Sequence, residues 1–101
     1  MKFHMKLIRD KIPGIAHAKG EQLQCHKADP AEYRYHLREK ILEEVHEFRE
    51  SGEAEELADI LEVVRAIANE RGLSMRNLYL LRDKKRRARG GFDGRIIWQN
   101  E

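Results

Sequence analysis

Glu44 and Glu47, followed after one short interruption by Glu56 and Asp59, form two carboxylate pairs with i, i+3 spacing. On an α-helix that spacing puts both members of a pair on one face, with Cβ atoms about 5–6 Å apart. If the two helices fold back on each other at Ser51-Gly52, four carboxylates converge and their repulsion favours a cation. Hard oxygen ligands select Mg²⁺ or Mn²⁺, and Mg²⁺ keeps positions open for water and for phosphate oxygens. The competing reading is that these acids lie on solvated helix faces, as a single E-x-x-E ordinarily would. Two inward-leaning pairs on consecutive helices favour the metal.

The elements that must carry these acids are legible from the pattern of apolar residues. Asp29-Pro30 is an N-cap followed by proline at the first helical position. Leu37, Ile41, Val45 and Phe48 then recur at helical spacing to about residue 50, where Ser51-Gly52 breaks the run. A second helix from about Glu53 carries Leu57, Ile60, Leu61, Val64, Ile67 and Ala68, and Gly72 supplies its stop. Ser74 caps a third helix with Leu78 and Leu81, which ends at Gly90-Gly91. Before these, Arg9 to Pro13 predicts a turn into a short helix ending near Gly20, and Gln22 to Lys27 reads as extended. Lys2 to Ile8 and Ile96-Ile97-Trp98 predict short terminal strands, paired with each other. At about 100° per residue, Glu44 and Glu47 project beside the apolar stripe of their helix, as do Glu56 and Asp59 on theirs. Glu39, Glu43, Glu50 and Glu62 project further out.

The 101 residues predict one domain, residues 1–101, of a size that often completes its core with a second subunit. Charged residues are 38% of the chain at a net charge of only +2, so their distribution carries the information. Acids dominate from Glu39 to Glu62, and bases from Arg82 to Arg95. The basic cluster, Lys84 to Arg87 with Arg89, has three readings: a solvated helix end, a nucleic-acid arm, or a clamp for nucleotide phosphates. The single Cys25 excludes an intrachain disulfide, and no long apolar run suggests a signal peptide or membrane span, which predicts a cytoplasmic protein. The five histidines show no zinc-like pairing with Cys25, and no Ser/His/Asp arrangement is evident. Phe92 and Trp98 could stack on a base, but core packing is the favoured role for both.

Glu43-Glu44-Val45-His46-Glu47 followed by Glu56-Leu57-Ala58-Asp59 resembles the E-E-x-x-E and E-x-x-D pattern of the MazG-like, all-α nucleoside triphosphate pyrophosphohydrolases, in particular their short house-cleaning members and the related phosphoribosyl-ATP pyrophosphohydrolases. The opening Lys6-Leu7-Ile8-Arg9-Asp10-Lys11-Ile12-Pro13 and the closing Lys85-Arg86-Arg87-Ala88-Arg89-Gly90-Gly91-Phe92 resemble terminal motifs of the same short members. The resemblance implies a mainly α, antiparallel helical bundle completed by oligomerisation into a dimer or tetramer. It further implies Mg²⁺-dependent cleavage of a nucleotide between the α and β phosphates, giving monophosphate and pyrophosphate. By that similarity Glu44, Glu47, Glu56 and Asp59 are metal ligands, and Glu43 joins Glu44 and Glu47 as a catalytic acid. Lys40, Arg9, Lys11, Lys85 and Arg89 are then phosphate contacts. The partner is a nucleotide, neither membrane nor nucleic acid. Two alternatives stand beside this reading, a nucleic-acid-binding helical module using residues 84–89 and a nucleotide sensor without activity.

Overall fold

The computed structural model describes residues 5–100, which form four α-helices and no strand: α1 Ile12–Ala18, α2 Pro30–Ser51, α3 Ala54–Glu70 and α4 Met75–Arg89. Their boundaries are set by local hydrogen bonding at the residues the sequence singled out. The Asp29 carboxylate accepts the Glu32 N–H at 2.9 Å, and Pro30 occupies the first turn of α2. Gly52 ends that helix in the left-handed region, at φ 66°, with its N–H donating to the Phe48 carbonyl at 2.8 Å. A side chain there would be strained, which explains the glycine. At the end of α3 the Leu73 N–H reaches the Ala68 carbonyl and the Gly72 N–H reaches that of Asn69, the two bonds of a Schellman motif. Ser74 Oγ accepts the Asn77 N–H at 3.1 Å to start α4.

Only Gly52 and Glu53 separate α2 from α3, so the two helices return along each other as an antiparallel hairpin. Arg34 near the start of α2 meets Glu70 at the end of α3, N–H to carboxylate at 3.3 Å. Leu37, Val63 and Ala68 are buried, with Ile41, Phe48, Ile60 and Ile67 half-buried around them. Ala16 of α1 is buried as well. Residues 5–11 form an irregular arm, with Leu7 and Ile8 half-buried, and α4 packs on α3.

Several expectations are corrected. Residues 5–8 and 96–98 form no strand; Lys2 to His4 of the expected first strand lie outside the described residues. Phe92 and Trp98 do not pack in a core, being 96% and 85% exposed. Val45, Leu57 and Leu61, expected on the buried stripes, are about half exposed. The reason is geometric. The apolar arc on α3 is wider than one facing helix can cover, and α2 covers the side carrying Ile60, Val63 and Ile67. On α2 the inward row runs Leu37, Ile41, Glu44, Phe48, so Glu44 occupies a core position and Val45 its flank. The radius of gyration is 17.6 Å, against about 13 Å for a compact chain of this length.

With so small a core, each buried side chain carries a large share of the stability. Leu37, 2% exposed, is the most buried of them. Leu37→Ala is expected to lower the unfolding free energy by about 2–4 kcal/mol, read as a lower urea midpoint at unchanged slope.

Candidate metal centre

The α2–α3 turn determines which acids meet. Glu44 lies on the inward row of α2 two turns before Gly52, and Glu56 and Asp59 lie on the first turns of α3 directly across from it. One carboxylate oxygen from each of the three falls within 4.8 Å of the other two. An octahedral Mg²⁺ with bonds of about 2.1 Å holds its ligand oxygens roughly 3 Å apart when adjacent and roughly 4 Å apart when opposite. The donor set and spacing therefore fit a hard divalent cation after small side-chain adjustments, with half of its positions left for other oxygens.

Electrostatics agrees with the geometry. Partial removal from water, and then the charges of Asp59, Glu47, Glu44 and Glu55, push the Glu56 carboxyl above the usual carboxylate range. Two basic groups offset this negative charge. Lys40 Nζ, largely buried, lies 3.5 Å from Glu44 Oε1 and 3.5 Å from Glu43 Oε2. Arg9, on the irregular arm, donates from a guanidinium nitrogen to Asp59 Oδ1 at 2.6 Å. The same arm brings Lys6 Nζ to 3.6 Å from Glu43. Arg9, Lys11, Tyr33, Lys40, Glu44 and Asp59 all line one cleft of about 560 Å³. A second cleft of about 650 Å³ lies at the far end of the hairpin among Arg34, Arg38, Glu70 and Arg71, away from the three acids.

The expected site residues thus divide. Glu44, Glu56 and Asp59 come together; Glu47 is exposed and stands outside the three-oxygen group, although its charge is felt at Glu56. Glu43 turns to Lys6 and Lys40. Arg9, Lys11 and Lys40 share the cleft with the acids, whereas Lys85 and Arg89 are exposed on α4 and line neither cleft. The contact between Arg9 and Asp59 was not foreseen. Fifty residues separate the two, and no local pattern encodes such a pairing. Comparison of the chain with protein-family profiles, with curated proteins and with solved structures finds no match.

A raised carboxyl pKa in the folded chain means that the folded state holds a proton more tightly than the unfolded one. Ionising Glu56 therefore opposes folding, and this contribution to stability is lost as pH rises from the ordinary carboxylate range through the raised value. In EDTA the Glu56→Gln protein is expected to melt above the wild type at neutral pH. The difference should shrink as the pH is lowered below the ordinary carboxylate pKa, as read by thermal melts across pH 4–8.

Proposed function

We propose that this chain is a Mg²⁺-dependent nucleotide pyrophosphohydrolase that cleaves between the α and β phosphates, in the service of nucleotide-pool house-cleaning. The observation that carries the reading is the convergence of Glu44, Glu56 and Asp59 beside a cleft that also contains Arg9, Lys11 and Lys40. Carboxylates alone would repel a triphosphate, and cations alone would bind it without chemistry; the two together suit a metal–phosphate complex. The resemblance of the acid pattern and of both terminal motifs to the MazG-like enzymes points the same way.

In this reading Glu44, Glu56 and Asp59 would hold the ion, which would supply polarisation of a phosphoryl oxygen. Glu47, one turn beyond Glu44 and outside that set, takes the proton from an attacking water as its oxygen bonds to phosphorus and the bond between the α and β phosphates breaks. Lys40 and Lys11 neutralise charge on the phosphate chain from the cleft wall. Glu43, paired with both Lys6 and Lys40, orients the latter. Lys85 and Arg89 sit apart on α4 and serve phosphate only if brought to the cleft of another copy.

The same reading makes the working form a homo-oligomer. Leu42, Val45, Leu57 and Leu61 are about half exposed or more, no large side chain among the described residues is fully buried, and the chain is extended for its length. A second copy on this face would supply the missing core. Among the described residues no helix is long and apolar enough to cross a membrane.

Two measurements test this. Pyrophosphate release from a panel of ordinary and modified nucleoside triphosphates is expected with Mg²⁺ and not with EDTA, and to fall at least about 100-fold in Glu44→Gln and Asp59→Asn with the helical signal intact. Full activity in both variants would exclude the assigned site. Nucleic-acid binding that persists in EDTA, with no nucleotide turnover, would favour the α4 cluster as a nucleic-acid arm instead. Multi-angle light scattering is expected to give at least twice the 11.9 kDa chain mass.

A further inference from the structure

The contact between Arg9 and Asp59 assigns the arm a role that the acids alone do not suggest. Resting on the metal reading above, we propose that Arg9 is an internal stand-in for the divalent ion: it neutralises Asp59 while the centre is empty of metal and gives that carboxylate up when the ion binds. Three observations lead here. First, Arg9 takes an acid that belongs to the three-oxygen group, and the 2.6 Å bond is its only ion pair among the described residues. A guanidinium has five N–H donors, so among the described residues this bond leaves most of its capacity unused. Second, the pair is open to water, with side chains 57% and 37% exposed, and exposed ion pairs exchange at little net cost.

Third, the two cations beside the centre are mounted differently. Lys40 rides on α2 with its side chain only 17% exposed. It cannot withdraw without leaving two carboxylates behind. Arg9 sits in the stretch before α1, whose backbone bonds among the described residues are the Arg9 carbonyl accepting the Ile12 N–H and the Lys11 carbonyl accepting the Ile15 N–H, both at 3.0 Å. Its side chain can swing while its backbone stays in place. Once released it remains on the wall of the cleft with Lys11 and Lys40, where phosphate oxygens would be its next partner. Occupation of the acids by metal and readiness of the cleft for phosphate are in this way the same event.

The sign of one binding change separates this role from its opposite. If Arg9 competes with the ion, removing it tightens metal binding; if it holds Asp59 in place for the ion, removing it weakens binding. Mn²⁺ alone is the probe, titrated into the full-length protein without nucleotide and followed by the loss of the free-ion paramagnetic resonance signal. Arg9→Gln is expected to bind Mn²⁺ about two- to five-fold more tightly than wild type, the range to which an exposed ion pair corresponds. Arg9→Lys, which keeps the charge and loses the fork, should fall between the two and decides the matter if the glutamine variant fails to fold. Lys11→Gln removes the same charge from the same cleft without touching Asp59, and a smaller effect is expected. Unchanged or weaker binding in Arg9→Gln overturns the proposal, as does an equal tightening in Lys11→Gln. Absence of Mn²⁺ binding in wild type and variants alike overturns the metal centre itself, and this inference with it.

Discussion

Like charges facing each other across a tight helical hairpin are the constraint around which the rest of this molecule is arranged. The two-residue link at Gly52 and Glu53 makes α2 and α3 return along each other, and the inward row of α2 presents Glu44 where an apolar residue would have served stability better. Glu56 and Asp59 answer it from α3. Lys40 and Arg9 are the local response to this repulsion, one from within the hairpin and one from the arm laid across it. Glu44 is buried among apolar side chains and the Glu56 carboxyl is held above its usual range, so the largest packed unit of the chain carries a polar cost at its centre.

The helices were legible because their ends are chemically marked. Asp29-Pro30, Ser74, Gly52 and Gly72 act through bonds to backbone groups one turn away, and such local chemistry survives in a single sequence. The acid centre was legible for the same reason: i, i+3 spacing places Glu56 with Asp59, and the short link brings Glu44 to them. What was not legible depends on distance along the chain or on packing choice. Nothing near Arg9 says that it will meet Asp59, and nothing near Val45 or Leu57 says which side of a broad apolar arc the neighbouring helix will cover. The expected terminal strands rested on β-branched and aromatic residues in short runs, a preference with little force where no neighbouring strand supplies hydrogen bonds.

The basic helix end and the acidic centre, which looked complementary along the sequence, are separate in the single chain. α4 touches α3 but contributes nothing to the cleft, and its cluster of lysines and arginines stands in water together with the apolar side chains of Phe92, Ile96, Ile97 and Trp98. A basic helix end followed by four exposed large apolar side chains leaves an unusual amount of apolar surface uncovered in the single chain.

The α2–α3 link also sets a phase. Each residue of an α-helix turns the chain by about 100°, so one residue removed between Gly52 and Glu56 would swing both α3 carboxylates away from Glu44 and bring Leu57 and Ile60 into their places, while one residue added would bring Glu55 and Ala58 there. Changes of residue type along this stretch alter the strength of the centre, whereas changes of length abolish it. The centre therefore depends on the register of the hairpin, set by the spacing between Glu44 and Asp59, as much as on the acids themselves.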